Sequence, residues 1–180
     1  AHLLIRAYQE HHQNHFPDLE RAAEAVGNKR MPLHVDDLLE IAEQVGLTIK
    51  WFDRPAEGII DEQGEYSKRV ISSFLEPNNV VYLNKQLKNQ TTRLKYDLAV
   101  HIGHCVLHNN DGMKSVMVAG RNQSYSLHEE QLLQQSGATL DAQDILHAWR
   151  DFECSFFAGA LLCPKVPFRQ LLDRRGYEIN

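Results

Sequence analysis

No run of apolar residues approaches the ~20 that a membrane helix needs, and no signal-peptide pattern is visible. Cysteine is scarce as well. The three present, Cys105, Cys154 and Cys163, are odd in number, lie in apolar surroundings and show no paired spacing. That suits reduced thiols, as in a cytoplasmic protein, better than a disulfide framework. A basic excess is also missing: the net charge of −5 gives no field that would grip a phosphate backbone, so this stretch does not hold nucleic acid by itself. There is no internal repeat and no initiating Met, and Ala1 runs straight into helical sequence, as expected of a piece of a longer polypeptide. What is there is ordinary globular material, 43% hydrophobic and 24% charged, in a length that suits one domain with a sizeable core.

The chain is organised around Tyr96–His108, an apolar helical run carrying His101, His104 and His108. At 100° per residue, Asp97 and the three histidines share one face, while Leu94, Leu98, Ile102, Cys105 and Val106 cover a face expected in the core. A metallopeptidase helix sets two histidines four apart on one zinc, with a Glu after the first as general base. Neither possible register supplies it: four before His104 stands Val100, and the pair His104 and His108 has Cys105 at the Glu position. Histidines on an amphipathic face are most often solvated or bonded within the fold, so the stripe alone does not specify a metal.

In chain order, a polar helix is expected from residue 2 to about 26, interrupted near Pro17 and closed by Gly27. Its cluster of His11, His12 and His15 reads as a solvated face. A short amphipathic helix at 36–45 precedes a strand at 47–52. A loop through Pro55 and Gly58 and a turn near Gly64 lead to strands at 69–75 and 80–83, joined at Pro77-Asn78-Asn79. The central helix then occupies about 87–108. A short edge strand is expected at 115–118, then a polar excursion over 119–139 with a helix near 127–135. The final long helix, about 141–162 with Asp141 or Asp144 as cap, is apolar nearly all round, so its Glu153 stands out: a carboxylate is rarely buried without a partner. An amphipathic turn follows Pro164.

Four of these segments carry a resemblance. Asp151-Phe152-Glu153-Cys154-Ser155-Phe156-Phe157-Ala158-Gly159-Ala160-Leu161-Leu162-Cys163-Pro164 resembles the Glu-Ala-Asn-x-Phe-Ala-x-x-Leu-Leu-Met-Pro segment of the ImmA/IrrE-like zinc metallopeptidases. Leu98–His108 resembles that family's Ala-His-Glu-Leu-Gly-His-x-x-Leu-His helix, Val80–Asn84 its strand before it, and 36–52 its opening helix and strand. The resemblance spans about residues 34–170. It implies an α+β fold, with a small, mostly antiparallel three-stranded sheet packed with helices around a zincin-like core. It also implies a division into a connecting helix (1–33) and a degenerate family domain (34–180) with an insertion at about 109–140. His104 takes the place of the second zinc histidine and Glu153 that of the carboxylate ligand. Val100 stands where the first zinc histidine would be, and His101 where the base would be, so the resemblance implies a dead peptidase with no cofactor.

Such domains are often fused to helix-turn-helix segments, and related regulators sense metabolites. The expectation is therefore a ligand-sensing domain of a bacterial transcriptional regulator, forming a homodimer and touching DNA only through a domain outside this chain. Its effector is a small molecule, with acyl-CoA-like metabolites among the class the resemblance implies, in a pocket between the two long helices lined by His101, His104, Glu153, Tyr96 and Asp97. The alternative is a divergent metal-dependent hydrolase, binding zinc through His104 and Glu153 with His101 or His108. A third option, a protein-interaction domain, predicts a filled space at that place.

Overall fold

The computed structural model describes residues 2–55, 57–60, 66–109, 111–118, 121–126 and 142–176. The N-terminal helix is two helices, α1 (His2–His11) and α2 (Pro17–Gly27). The break has a local cause. Gln13 and Asn14 adopt positive φ, and Pro17, which has no N–H to give, begins α2 at the position where none is needed. Helix α3 (Val35–Gln44) starts where the Asp37 carboxylate accepts a 2.7 Å hydrogen bond from the His34 backbone N–H, which fastens its first turn.

The fold is α+β. Strands β1 (Thr48–Phe52), β4 (Ile71–Glu76) and β5 (Val80–Asn84) fall within two residues of the expected ones. They do not form a three-stranded antiparallel sheet. The sheet has five strands in the order β1-β5-β4-β6-β7, with β6 (Met113–Val118) and β7 (Arg121–Ser126) added, and β1 pairs in parallel with β5. The sheet is mixed because β1 leaves along its edge and the chain returns two strands later, a route only a crossover permits. Strand β6 is internal rather than an edge, and β7 occupies part of the stretch expected to be an excursion. The expected helix near 127–135 and the cap Asp141 lie outside the described residues, while Asp144, the other expected cap, falls within the long helix that begins at Ala142. Strands β2 (Glu57–Ile60) and β3 (Tyr66–Arg69) pair as a separate hairpin where a loop was expected.

A 3₁₀ turn (Lys85–Asn89) leads into α4 (Thr91–His108), and α5 (Ala142–Leu162) packs beside it, followed by α6 (Lys165–Arg174). Gly103 is the reason the two long helices lie so close: a Cβ there would sit 2.9 Å from Phe157 Cδ1 and 3.4 Å from the Cys154 carbonyl. Val81 and Leu83 of β5, Met117 of β6, Leu38 and Ile41 of α3, Leu98 and Ile102 of α4 and Phe157 and Leu161 of α5 form the core. Each such side chain contributes about 1.5–3 kcal/mol when fully buried. Ala23 of α2 and Leu33 belong to the same core, and Phe16 stacks edge-on against Phe152 and Phe156 at 5.1 and 5.0 Å. No break in packing therefore falls at the boundary expected between 33 and 34. Among the described residues, no helix is long and apolar enough to cross a membrane.

Candidate functional site

Helix α4 lies along β4. Arg93 near its start faces Ser72 at the start of the strand, and Asn109 just past its end accepts a 3.3 Å hydrogen bond from Asn79 in the β4–β5 turn. The polar stripe expected on this helix exists, and it is buried: Asp97 and His101 have no solvent exposure and His104 has 4%.

What receives Asp97 is a pair of serines. Ser72 Oγ and Ser73 Oγ lie 2.5 and 2.7 Å from its Oδ2. Successive strand residues normally point to opposite faces, so two neighbours reaching one carboxylate needs an irregularity. The pairing of β4 with β6 shifts between Ile71 and Ser73, a β-bulge that turns Ser72 inward beside Ser73. Ser73 Oγ also lies 2.8 Å from His101 Nε2. With both hydroxyls donating to an Asp97 carboxylate, Ser73 Oγ accepts from His101 Nε2–H, which leaves Nδ1 as the bare acceptor. That nitrogen is buried without a hydrogen-bond partner. Burial pushes the His101 pKa down to about 3, helped by neighbouring His104, so this imidazole is neutral near pH 7. Burial raises the Asp97 pKa, against the opposing pull of the two serines and Arg93.

Serine, histidine and aspartate together invite comparison with a nucleophilic triad. There the carboxylate orients the imidazole and the imidazole takes the serine proton. Here the carboxylate binds the serines and the histidine lies beyond them, with all four side chains buried. The arrangement joins α4 to β4.

At the other end of α4, Glu153 of α5 reaches His108: its Oε2 is 2.9 Å from His108 Nε2. The nitrogen is not aligned as a hydrogen-bond donor, so the contact is one of proximity. The ring of His104 is 6.4 Å from that of His108. The crevice adjoining both has a volume of about 10 Å³, room for a single water. Nearby, Arg150 of α5 pairs with Asp111 at 3.0 Å.

The five expected ligand-binding residues are thus not gathered. Asp97 and His101 face the sheet, Glu153 meets His108, and half-buried Tyr96 packs against the core. Val100 is fully buried among apolar side chains, His101 spends Nε2 on Ser73, and no cluster of three or more His, Cys, Asp or Glu among the described residues has metal-holding geometry.

A larger cavity, about 240 Å³, lies at the start of α4. It is lined by Val70, Ser72, Asn84, Gln86, Leu87, Gln90 and Arg93. Asn84 shapes one wall: its side-chain amide donates to the carbonyls of Arg54 (2.9 Å) and Ile71 (3.1 Å) and its Oδ1 accepts from the Gln86 N–H. Sequence reasoning missed Ser72, Ser73 and Arg93. Two signals were available. Arg93 extends the Asp97–His101 stripe by one i, i+4 step, and Ser-Ser is out of place in a strand otherwise reading Ile, Phe, Leu.

A scan against protein-family models finds no match to the chain, and a search of curated proteins finds none either.

Proposed function

We propose that this chain is a ligand-sensing regulatory domain of a bacterial helix-turn-helix transcriptional regulator, built on a zincin-like, ImmA/IrrE-like framework that no longer performs peptidase chemistry. The observation that carries the reading is His101. It stands where the resemblance puts the general base, and it is fully buried with its Nε2 engaged by Ser73. A base must reach the proton it removes, directly or through one water. Val100, at the position of the first zinc histidine, has no donor atom. The expected homodimer and the DNA-binding segment outside this chain belong to the same reading, and the net charge of −5 accords with DNA contact elsewhere. The 240 Å³ cavity falls just below the ~300–1,000 Å³ usual for drug-sized ligands, which favours a small metabolite over a whole acyl-CoA ester.

The test uses the native full-length protein and its own promoter DNA. Metabolite extract from the source cells is expected to change the affinity for that DNA, and zinc-supplemented protein is expected to leave peptide substrates intact. DNA affinity indifferent to the extract, or cleavage abolished by His104→Ala and restored by zinc, would overturn the proposal. A divergent hydrolase using His104, His108 and Glu153 has one observation in its favour, the 2.9 Å approach of His108 to Glu153. Stoichiometric zinc found by elemental analysis would move the conclusion to it.

A further inference from the structure

Among the described residues that line the cavity at the start of α4, Arg93 is the one cation, and it is under-used. Its Nε is buried with no hydrogen-bond partner. Its terminal nitrogen reaches Ser72 Oγ only at 3.5 Å, the outer limit of a hydrogen bond, and its Nε stands 3.9 Å from Asp97 Oδ1, which also lacks a hydrogen-bond partner. A guanidinium has five donors in a planar fork, and leaving them unmet in a partly buried place is costly unless something else meets them. Ser72 does little for it, since its hydroxyl is held by Asp97 and the Met117 carbonyl. Asp97 does little either: its Oδ1 stands 3.9 Å from Arg93 Nε, beyond hydrogen-bond reach, so none of the guanidinium's donors is met there.

From this geometry we infer that the cavity binds a small monocarboxylate bearing a second polar group, such as a 2-oxo or 2-hydroxy acid, with its carboxylate on Arg93. The charge count selects one negative charge. A doubly charged phosphate would meet a single guanidinium and lie close to Asp97. The shape selects a small molecule: Val70 and Leu87 line it with apolar surface, and Gln86 and Gln90 line the same space with polar side chains that suit the second polar group. None of these residues belongs to the zinc positions of the resembled peptidases. The inference deepens the sensing proposal by giving the effector a class and a place.

The experiment follows the Arg93 Nε–Hε signal of ¹⁵N-labelled protein by NMR during titration with sodium pyruvate, sodium phosphate and, as the ionic-strength control, sodium chloride. Pyruvate is expected to give a saturable shift and phosphate a much weaker one. In Arg93→Gln, backbone signals around the cavity are expected to respond at least about tenfold more weakly, the loss of one bidentate charged contact. Val70→Phe, which fills the space and leaves the charges untouched, is expected to abolish the response while the rest of the spectrum confirms the fold. No saturable shift with pyruvate, or a shift that survives Val70→Phe, overturns the site. Tighter binding of phosphate overturns the ligand class. If pyruvate saturates the site but leaves the full-length protein's DNA affinity unchanged, the site stands and the sensing role falls.

Discussion

His101 has a thermodynamic signature. Its folded pKa is about 3, well below the unfolded value of about 6.5, so between those values the unfolded chain binds a proton that the folded chain refuses. Stability is therefore intact above pH 6.5 and is lost as pH falls below it, by up to about 1.4 kcal/mol per pH unit. Asp97 acts in the opposite sense. Its raised pKa makes the folded state hold a proton that the unfolded state has lost, so above 3.8 it costs stability as pH rises. Chemical denaturation between pH 7 and 5 should show a steeper loss for the parent than for His101→Gln, by roughly one proton's slope. Equal slopes would mean that His101 is not buried neutral. The position of this histidine on the Asp97 stripe was legible from helical periodicity. Its true partner was not, because the serine that receives it lies 28 residues earlier and faces inward through a bulge that local pattern does not encode.

Among the elements, the pairing of α4 with α5 is the closest fit, and it hangs on Gly103. Replacing a helical glycine by alanine ordinarily gains up to about 1 kcal/mol. At Gly103 the new methyl would press on the Phe157 ring and the Cys154 carbonyl, and overpacking of that kind costs typically about 1–3 kcal/mol. Gly103→Ala is therefore expected to lower Tm. Combined with Phe157→Leu, it should cost less than the two changes summed, since the leucine vacates the contested space. Strict additivity would show that the clash is relieved elsewhere. The helices themselves were readable from sequence, their ends set by Pro17, Gly27 and Pro164 and their inner faces by apolar spacing. The sheet was partly readable: β1, β4, β5 and β6 announced themselves by β-branched runs, whereas β2, β3 and β7 are polar or glycine-containing segments whose pairing is a tertiary outcome.

At the scale of the whole molecule, α2 is a structural part of the domain, while α1 is held more lightly. Ile5 is buried and Tyr8 meets Trp149 edge-on at 4.7 Å, but Leu3 and Leu4 face solvent. Removing residues 1–11 should lower Tm by a few degrees and leave unfolding cooperative. Removing 1–28 takes Phe16 and Ala23 out of the core and should abolish the cooperative transition. A fully cooperative 29–180 fragment would restore the separate connecting segment that the sequence led one to expect. The sheet order also says something about time. Strand β4 is central, yet one of its neighbours, β6, comes only after α4, and Ser72 meets the Met117 carbonyl across 45 residues of chain. As the polypeptide emerges from the ribosome, β4 and β5 can pair at once, while the far edge of β4 stays bare until residue 118 is out, at about 5–20 residues per second. For those seconds Ile71-Ser-Ser-Phe-Leu-Glu76 is an open edge, and the two serines and Asp97 have not yet been shut into the dark side of the sheet.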